Sequence, residues 1–91
     1  MLDLHGKVAF VSGAGSVGPG WGNGKATAVL FARQGAQVFG TDINAAALEE
    51  TRAIIEKEGG ACVTQVCDMT DSPAVKAAVD ACLARFGRID I

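Results

Sequence analysis

Residues 12–28 read SGAGSVGPGWGNGKATA, with six glycines and one proline in seventeen residues. Just before them, KVAFVS at 7–12 is a short, nearly continuous apolar run, the pattern of a strand buried on both faces. Just after them the sequence becomes helix-like. A glycine loop between a first strand and a first helix is where open α/β folds hold phosphates. The helix start offers unpaired N–H groups and a partial positive charge. Glycine lets the backbone approach a ligand with no Cβ in the way.

The rest of the chain repeats the alternation. A helix is expected over 25–34, with Ala26, Val29 and Leu30 on one side and Gly35 as its stop. A second strand is expected at 37–41. Asn44 is placed to cap a second helix through Lys57, carrying Leu48, Ile54 and Ile55 inward and ended by Gly59-Gly60. A third strand follows at 61–66. Ser72-Pro73 reads as an N-cap with proline at the first helical position. Behind it Val75, Ala78, Val79, Cys82, Leu83 and Phe86 form a helical stripe that Gly87 stops. Ile89-Asp90-Ile91 looks like the start of a fourth strand. The expected fold class is therefore α/β, a Rossmann-like, doubly wound parallel sheet, truncated to about three to four strands and three helices. The whole of 1–91 is read as one partial dinucleotide-binding domain.

Composition narrows the function. Hydrophobic residues make up 49% and charged residues 20% of the 91, which is globular usage. A net charge of −2 gives no electrostatic reason to bind nucleic acid or anionic lipid. The amino terminus has the pattern of neither a signal peptide nor a membrane span, so a cytoplasmic location is expected. Cys62, Cys67 and Cys82 form no CxxC pair, and there is one histidine, so no metal site is expected. The cysteines read as reduced, small core hydrophobes.

Two alignments of the glycines compete. Residues 13–18 match GxGxxG by the letter, but Pro19-Gly20-Trp21 follows where a helix should already run. Gly22-Asn23-Gly24-Lys25 is the better helix entry. A P-loop is excluded because Ala26, not Ser or Thr, follows Gly24-Lys25. Asp42 ends the second strand, 18 residues after Gly24. A carboxylate at that place either hydrogen-bonds a ribose 2′-OH or helps cap the next helix, and position and spacing favour the ribose. It would repel a 2′-phosphate, which favours NAD over NADP.

On these residues the chain resembles the short-chain dehydrogenases/reductases. Residues 6–13 (GKVAFVSG) are similar to that family's opening strand. Gly13, Gly22 and Gly24 are similar to its TGxxxGxG motif, with Ser12 in place of threonine. Asp42 matches its NAD-selecting acid. Residues 67–71 (CDMTD) look like its DVTD segment, where the resemblance implies that Asp68 contacts the adenine amine. Residues 87–91 (GRIDI) look like the lead-in to its NNAG motif. The resemblance covers essentially the whole chain. It implies an NAD-dependent oxidoreductase moving a hydride between nicotinamide and an alcohol or ketone. The implied cofactor-binding set is Gly13, Gly22, Asn23, Gly24, Asp42, Asp68 and Met69.

The chain departs from the family in two respects. Gly22 comes nine positions after Gly13 where the family motif spans four, and Asn23 stands where the family has isoleucine beside the nicotinamide. Trp21, in the longer loop, is expected to cover apolar surface rather than fold over a cofactor. The resemblance also implies catalysis by a serine and a YxxxK pair beyond residue 91. The chain has no tyrosine, and Ser12, Ser16 and Ser72 do not map onto the serine, so no catalytic residue is expected here. His5 is expected to be solvated. The 91 residues alone are expected to lack turnover, and to self-associate or be complemented by another chain through an open first-strand edge. The alternatives are a non-catalytic nucleotide-binding module and a self-associating half-fold.

Overall fold

The computed structural model of the protein describes residues 3–15 and 23–91. Three strands, β1 (Val8–Ser12), β2 (Gln37–Asp42) and β3 (Ala61–Val66), alternate with three helices. The helices are α1 (Asn23–Arg33), α2 (Ala45–Lys57) and α3 (Ser72–Phe86). The strands form one parallel sheet in the order β1-β2-β3, with Val8 beside Gln37 and Gln37 beside Ala61. All three therefore end at the same edge, where Ser12 lies beside Thr41 and Asp42 beside Val66.

Side chains alternate across the sheet, as strand geometry demands. Ala9 and Val11 face one side, with Val38 and Cys62, and pack under Ala28 and Val29 of α1 and Leu48 and Ile55 of α2. Val8 and Phe39 face the other side, with Phe10 and Val63 beside them, and α3 covers them with Ala78 and Cys82. The Phe10 and Phe39 rings stack with centroids 5.6 Å apart. All three cysteines are free and buried, Cys62 in one cluster and Cys67 and Cys82 in the other.

Local signals explain the helix limits. The Asn44 side chain accepts the Ala47 N–H at 2.9 Å and starts α2. Gly59 just beyond α2 and Gly87 after α3 take positive φ, +85° and +80°, which glycine adopts at little cost.

Several expectations need correction. The first strand starts at Val8, not Lys7, and α1 starts at Asn23, two residues early. The buried side of α1 is Lys25, Ala28 and Val29, whereas Ala26 and Leu30 face solvent. The N-cap of α3 is Asp71, which makes Ser72 the first helical residue and moves Pro73 one place in. Leu83 lies exposed on α3 because Ala78 and Cys82 centre its contact face. Ile54 is only partly buried.

Among the described residues there is no fourth strand, yet Ile91 makes both bonds of a parallel ladder to β1. Its N–H donates to the Val8 carbonyl (3.2 Å) and its carbonyl accepts the Phe10 N–H (3.0 Å). The Asp90 carboxylate accepts the Val8 N–H at 2.8 Å. The outer edge of β1, expected to be largely open with only Ile89 to Ile91 left to pair there, is partly occupied by Asp90 and Ile91.

Candidate functional site

The glycine-rich turn, the start of α1, Asp42 and the segment after β3 all lie at the carboxyl edge of the sheet. In open α/β sheets ligands bind beyond that edge. Gly13 leaves β1 with φ +64°, a left-handed conformation that a side chain would strain. Gly24 packs directly on that turn. A Cβ there would sit 1.8 Å from the Gly13 carbonyl oxygen, so only glycine brings α1 this close.

Three consecutive polar groups of the turn are held by β2 and α2. The Ala14 N–H donates to the Thr41 carbonyl at 2.9 Å. The buried Thr51 hydroxyl of α2 donates to the Ala14 carbonyl at 2.8 Å. The Gly15 N–H donates to Asp42 Oδ2 at 3.0 Å. Asp42 Oδ1 in turn accepts the Asn44 N–H at 2.9 Å, so the carboxylate touches both the turn and the residue that caps α2. The cap of α2 is made by the Asn44 side chain, and Asp42 holds the backbone N–H of that capping residue. These bonds do not use up the carboxylate, whose two oxygens offer about four acceptor positions.

Lys25, in the first turn of α1, is only 3% exposed and pairs through Nζ with Glu50 Oε1 of α2 at 2.8 Å. Arg52 pairs with Glu49 and Glu56. Beyond β3, Asp68 is exposed, and its Oδ1 accepts the Thr70 N–H (2.9 Å) and hydroxyl (2.7 Å). Those bonds, the hydroxyl first, hold the Asp68 carboxyl below its ordinary range. Met69 lies partly open, with its sulfur 3.8 Å from Thr41 Oγ1 and 3.7 Å from Cys67 Sγ. Ile43, next to Asp42, is 68% exposed and adds apolar surface at the same edge.

The structure thus gathers Gly13, Gly24, Asp42, Asp68 and Met69 at one sheet edge, with the backbone of Asn23 opening α1 beside them. Gly22 and Trp21 lie outside the described residues. Sequence reasoning missed Gly15, Thr51 and Ile43. Gly15 stood in the letter match to GxGxxG, and Ile43 was an apolar residue just past a strand end. Thr51, 37 residues from its partner Ala14, carried no local signal. His5 is exposed as expected, but its Nδ1 lies 2.7 Å from Asp3 Oδ1.

A cleft of about 450 Å³ opens at the opposite edge of the sheet, lined by His5, Arg33, Gln37, Ile55, Glu58 and Gly60 among others. It holds none of the predicted site residues, and its Arg33 and Glu58 are already paired with each other at 2.7 Å. The carboxyl edge, with its glycine turn and helix start, is the better candidate. Among the described residues no group of three or more His, Cys, Asp or Glu is placed to hold a metal ion. No helix among them is long and apolar enough to cross a membrane.

Comparison with known proteins agrees with this geometry. A family model described as enoyl-(acyl carrier protein) reductase matches residues 18–91. D-threitol dehydrogenase of Mycolicibacterium smegmatis is 43% identical over 88 residues, which are 97% of this chain and 32% of that protein. A crystal structure described as a short-chain dehydrogenase/reductase from Burkholderia xenovorans superposes with a TM-score of 0.91 at 47% identity, covering 96% of this chain and 34% of that one. A metagenomic short-chain oxidoreductase in complex with NADP gives 0.87 at 33% identity, covering 97% and 38%. The chain spans about a third of the length of these relatives.

Proposed function

The chain belongs to the short-chain dehydrogenase/reductase family, and from that premise we propose that it is the NAD-binding part of an oxidoreductase that moves a hydride between nicotinamide and an alcohol or ketone. The observation that carries the cofactor reading is Asp42, a carboxylate at the end of β2 hydrogen-bonded to the glycine turn. The residues fit a dinucleotide. With no Cβ on Gly24, the start of α1 seats directly on the Gly13 carbonyl, and that helix start supplies N–H donors beside the turn.

In this reading the backbones of Gly13, Gly22, Asn23 and Gly24 face the pyrophosphate. Asp42 accepts from the adenosine ribose. Asp68 and Met69 flank the adenine, the first with its unpaired Oδ2 face and the second with apolar surface. Bound nicotinamide supplies the hydride acceptor or donor. The residues of this chain bind and orient it. The proton exchanged with substrate is the task of residues that the resemblance places beyond Ile91. Substrate class is likewise a property of that part.

The NADP complex of a relative favours a second reading, in which the cofactor carries a 2′-phosphate. Charge argues against it here. Asp42 would face the phosphate, and Lys25 and Arg52 are each already paired with glutamate. Calorimetric titration with NAD and NADP in parallel tests both. Saturable binding that prefers NAD, and weakens on Asp42→Ala, is expected. Equal or tighter NADP binding would replace the NAD reading, and no binding of either would remove the cofactor reading.

A further inference from the structure

We infer that Asp42 is also a positioning residue: it latches the glycine turn in its ligand-ready shape before any cofactor arrives. The inference rests on the dinucleotide reading of this edge, and adds to it an action on the pyrophosphate half of the ligand, which Asp42 does not touch. The geometry is direct. Asp42 Oδ2 holds the Gly15 N–H at 3.0 Å while Oδ1 holds the Asn44 N–H at 2.9 Å. One side chain therefore ties the turn after β1 to the amino terminus of α2.

The neighbouring ties share the load. Ala14 is pinned through its N–H to Thr41 and through its carbonyl to Thr51. Gly15 lies so close to α2 that a Cβ would come within 2.8 Å of the Ala47 Cβ. Of these ties, only the one through Asp42 is charged, and charged hydrogen bonds are the stronger kind. The Gly13 carbonyl is the surface on which Gly24 rests. A turn released at Gly15 therefore lets the start of α1 shift as well, and with it the N–H groups offered to phosphate.

The latch separates from direct contact through a ligand that lacks adenosine. Nicotinamide mononucleotide has a phosphate and the nicotinamide but no adenosine ribose. The full chain and its Asp42→Ala, Asp42→Asn and Thr51→Val variants are titrated with NAD and with nicotinamide mononucleotide. Amide exchange at Gly15 is read without ligand. The latch predicts that Asp42→Ala weakens both ligands by about tenfold, the scale of one charged hydrogen bond. It also predicts faster Gly15 exchange, and partial recovery in Asp42→Asn, whose amide oxygen can accept one of the two N–H groups. If Asp42→Ala does not fold, Asp42→Asn carries the same test with a smaller change. Thr51→Val, far from the ribose, is expected to weaken both ligands in equal proportion. Loss of NAD affinity with mononucleotide affinity kept within about twofold, and Gly15 exchange unchanged, would overturn the latch. Failure of the unmodified chain to bind either ligand would instead defeat the dinucleotide reading, with Gly15 exchange still deciding the latch.

Discussion

Gly24→Ala tests the closest contact of the candidate site. The new Cβ would lie 1.8 Å from the Gly13 carbonyl oxygen, 2.6 Å from its carbon and 3.2 Å from the Ser12 oxygen. Ordinary contact begins near 3.4 Å, so α1 and the turn must separate by about 1.6 Å. Neither side is a flexible side chain. Ala28 and Val29 anchor α1 in the core, and Ala14 is bonded to Thr41 and Thr51. Overpacking costs about 1–3 kcal/mol, and a backbone-on-backbone clash belongs at the upper end. At about 4–8 °C per kcal/mol for a domain of this size, a loss of about 3 kcal/mol lowers Tm by roughly 12–24 °C. Gly59→Ala is the control. Gly59 has φ +85° but open space around its Cβ position, so only the left-handed penalty of about 1–2 kcal/mol applies. Urea unfolding of both variants, with NAD titration of the folded fraction, reads the difference. Gly24→Ala no more costly than Gly59→Ala, with NAD affinity unchanged, would refute the tight Gly13–Gly24 approach.

Other outcomes follow from single groups. Thr51→Val keeps the shape of a fully buried side chain but leaves the Ala14 carbonyl without its donor, and should cost about 1–3 kcal/mol in urea unfolding. Burial pushes the Cys62 thiol from 9.0 up to about 11. The unfolded chain thus loses this proton above pH 9.0 and the folded one only near pH 11, so stability falls across that window and is unaffected by this thiol below it. Cys62→Ala should flatten the fall in urea midpoint between pH 9 and 11, and an unchanged slope would contradict the assignment. Asp90 is held below its ordinary range, first by Arg88 and then by the Val8 N–H. That support is present above the unfolded carboxylate value of 3.8 and lost as pH falls below it, so amide exchange at Val8 should quicken in acid.

The elements were legible in the sequence because strands and helices use different periods, and the helices are followed by glycine at 35, 59 and 87. Asn44, Gly59 and Gly87 marked boundaries that the structure keeps. The face of α1 was misread for a physical reason. Alanine at 26, 28 and 32 offers no strong stripe, and the buried position beside them is filled by Lys25, which a hydrophobicity pattern assigns to solvent. Its pairing with Glu50, on another helix, offsets part of the cost of that burial. The start of α3 was off by one residue because Asp71 and Ser72 are both good caps and proline is accepted at either of the next places. At the site, Asp42 was visible from its spacing. Its bond to Gly15 was not, because 27 residues of chain separate the two and only the parallel register brings them together.

The order of the sheet bears on how the chain assembles. In chain order, Gln37 lies beside Val8, and Ala61 lies beside Gln37 on the other side of β2. Ile91 then adds to the free side of β1. Each newcomer attaches at an exposed rim, and none has to be threaded between two strands already paired. A chain emerging from its amino terminus can therefore build this sheet by accretion, first in one direction and then in the other. Pairing β1 with β2, and β2 with β3, each closes a loop that spans a helix. The glycine turn lies inside the first of those closures, and the groups that accept its N–H bonds, the Thr41 carbonyl and the Asp42 carboxylate, belong to β2.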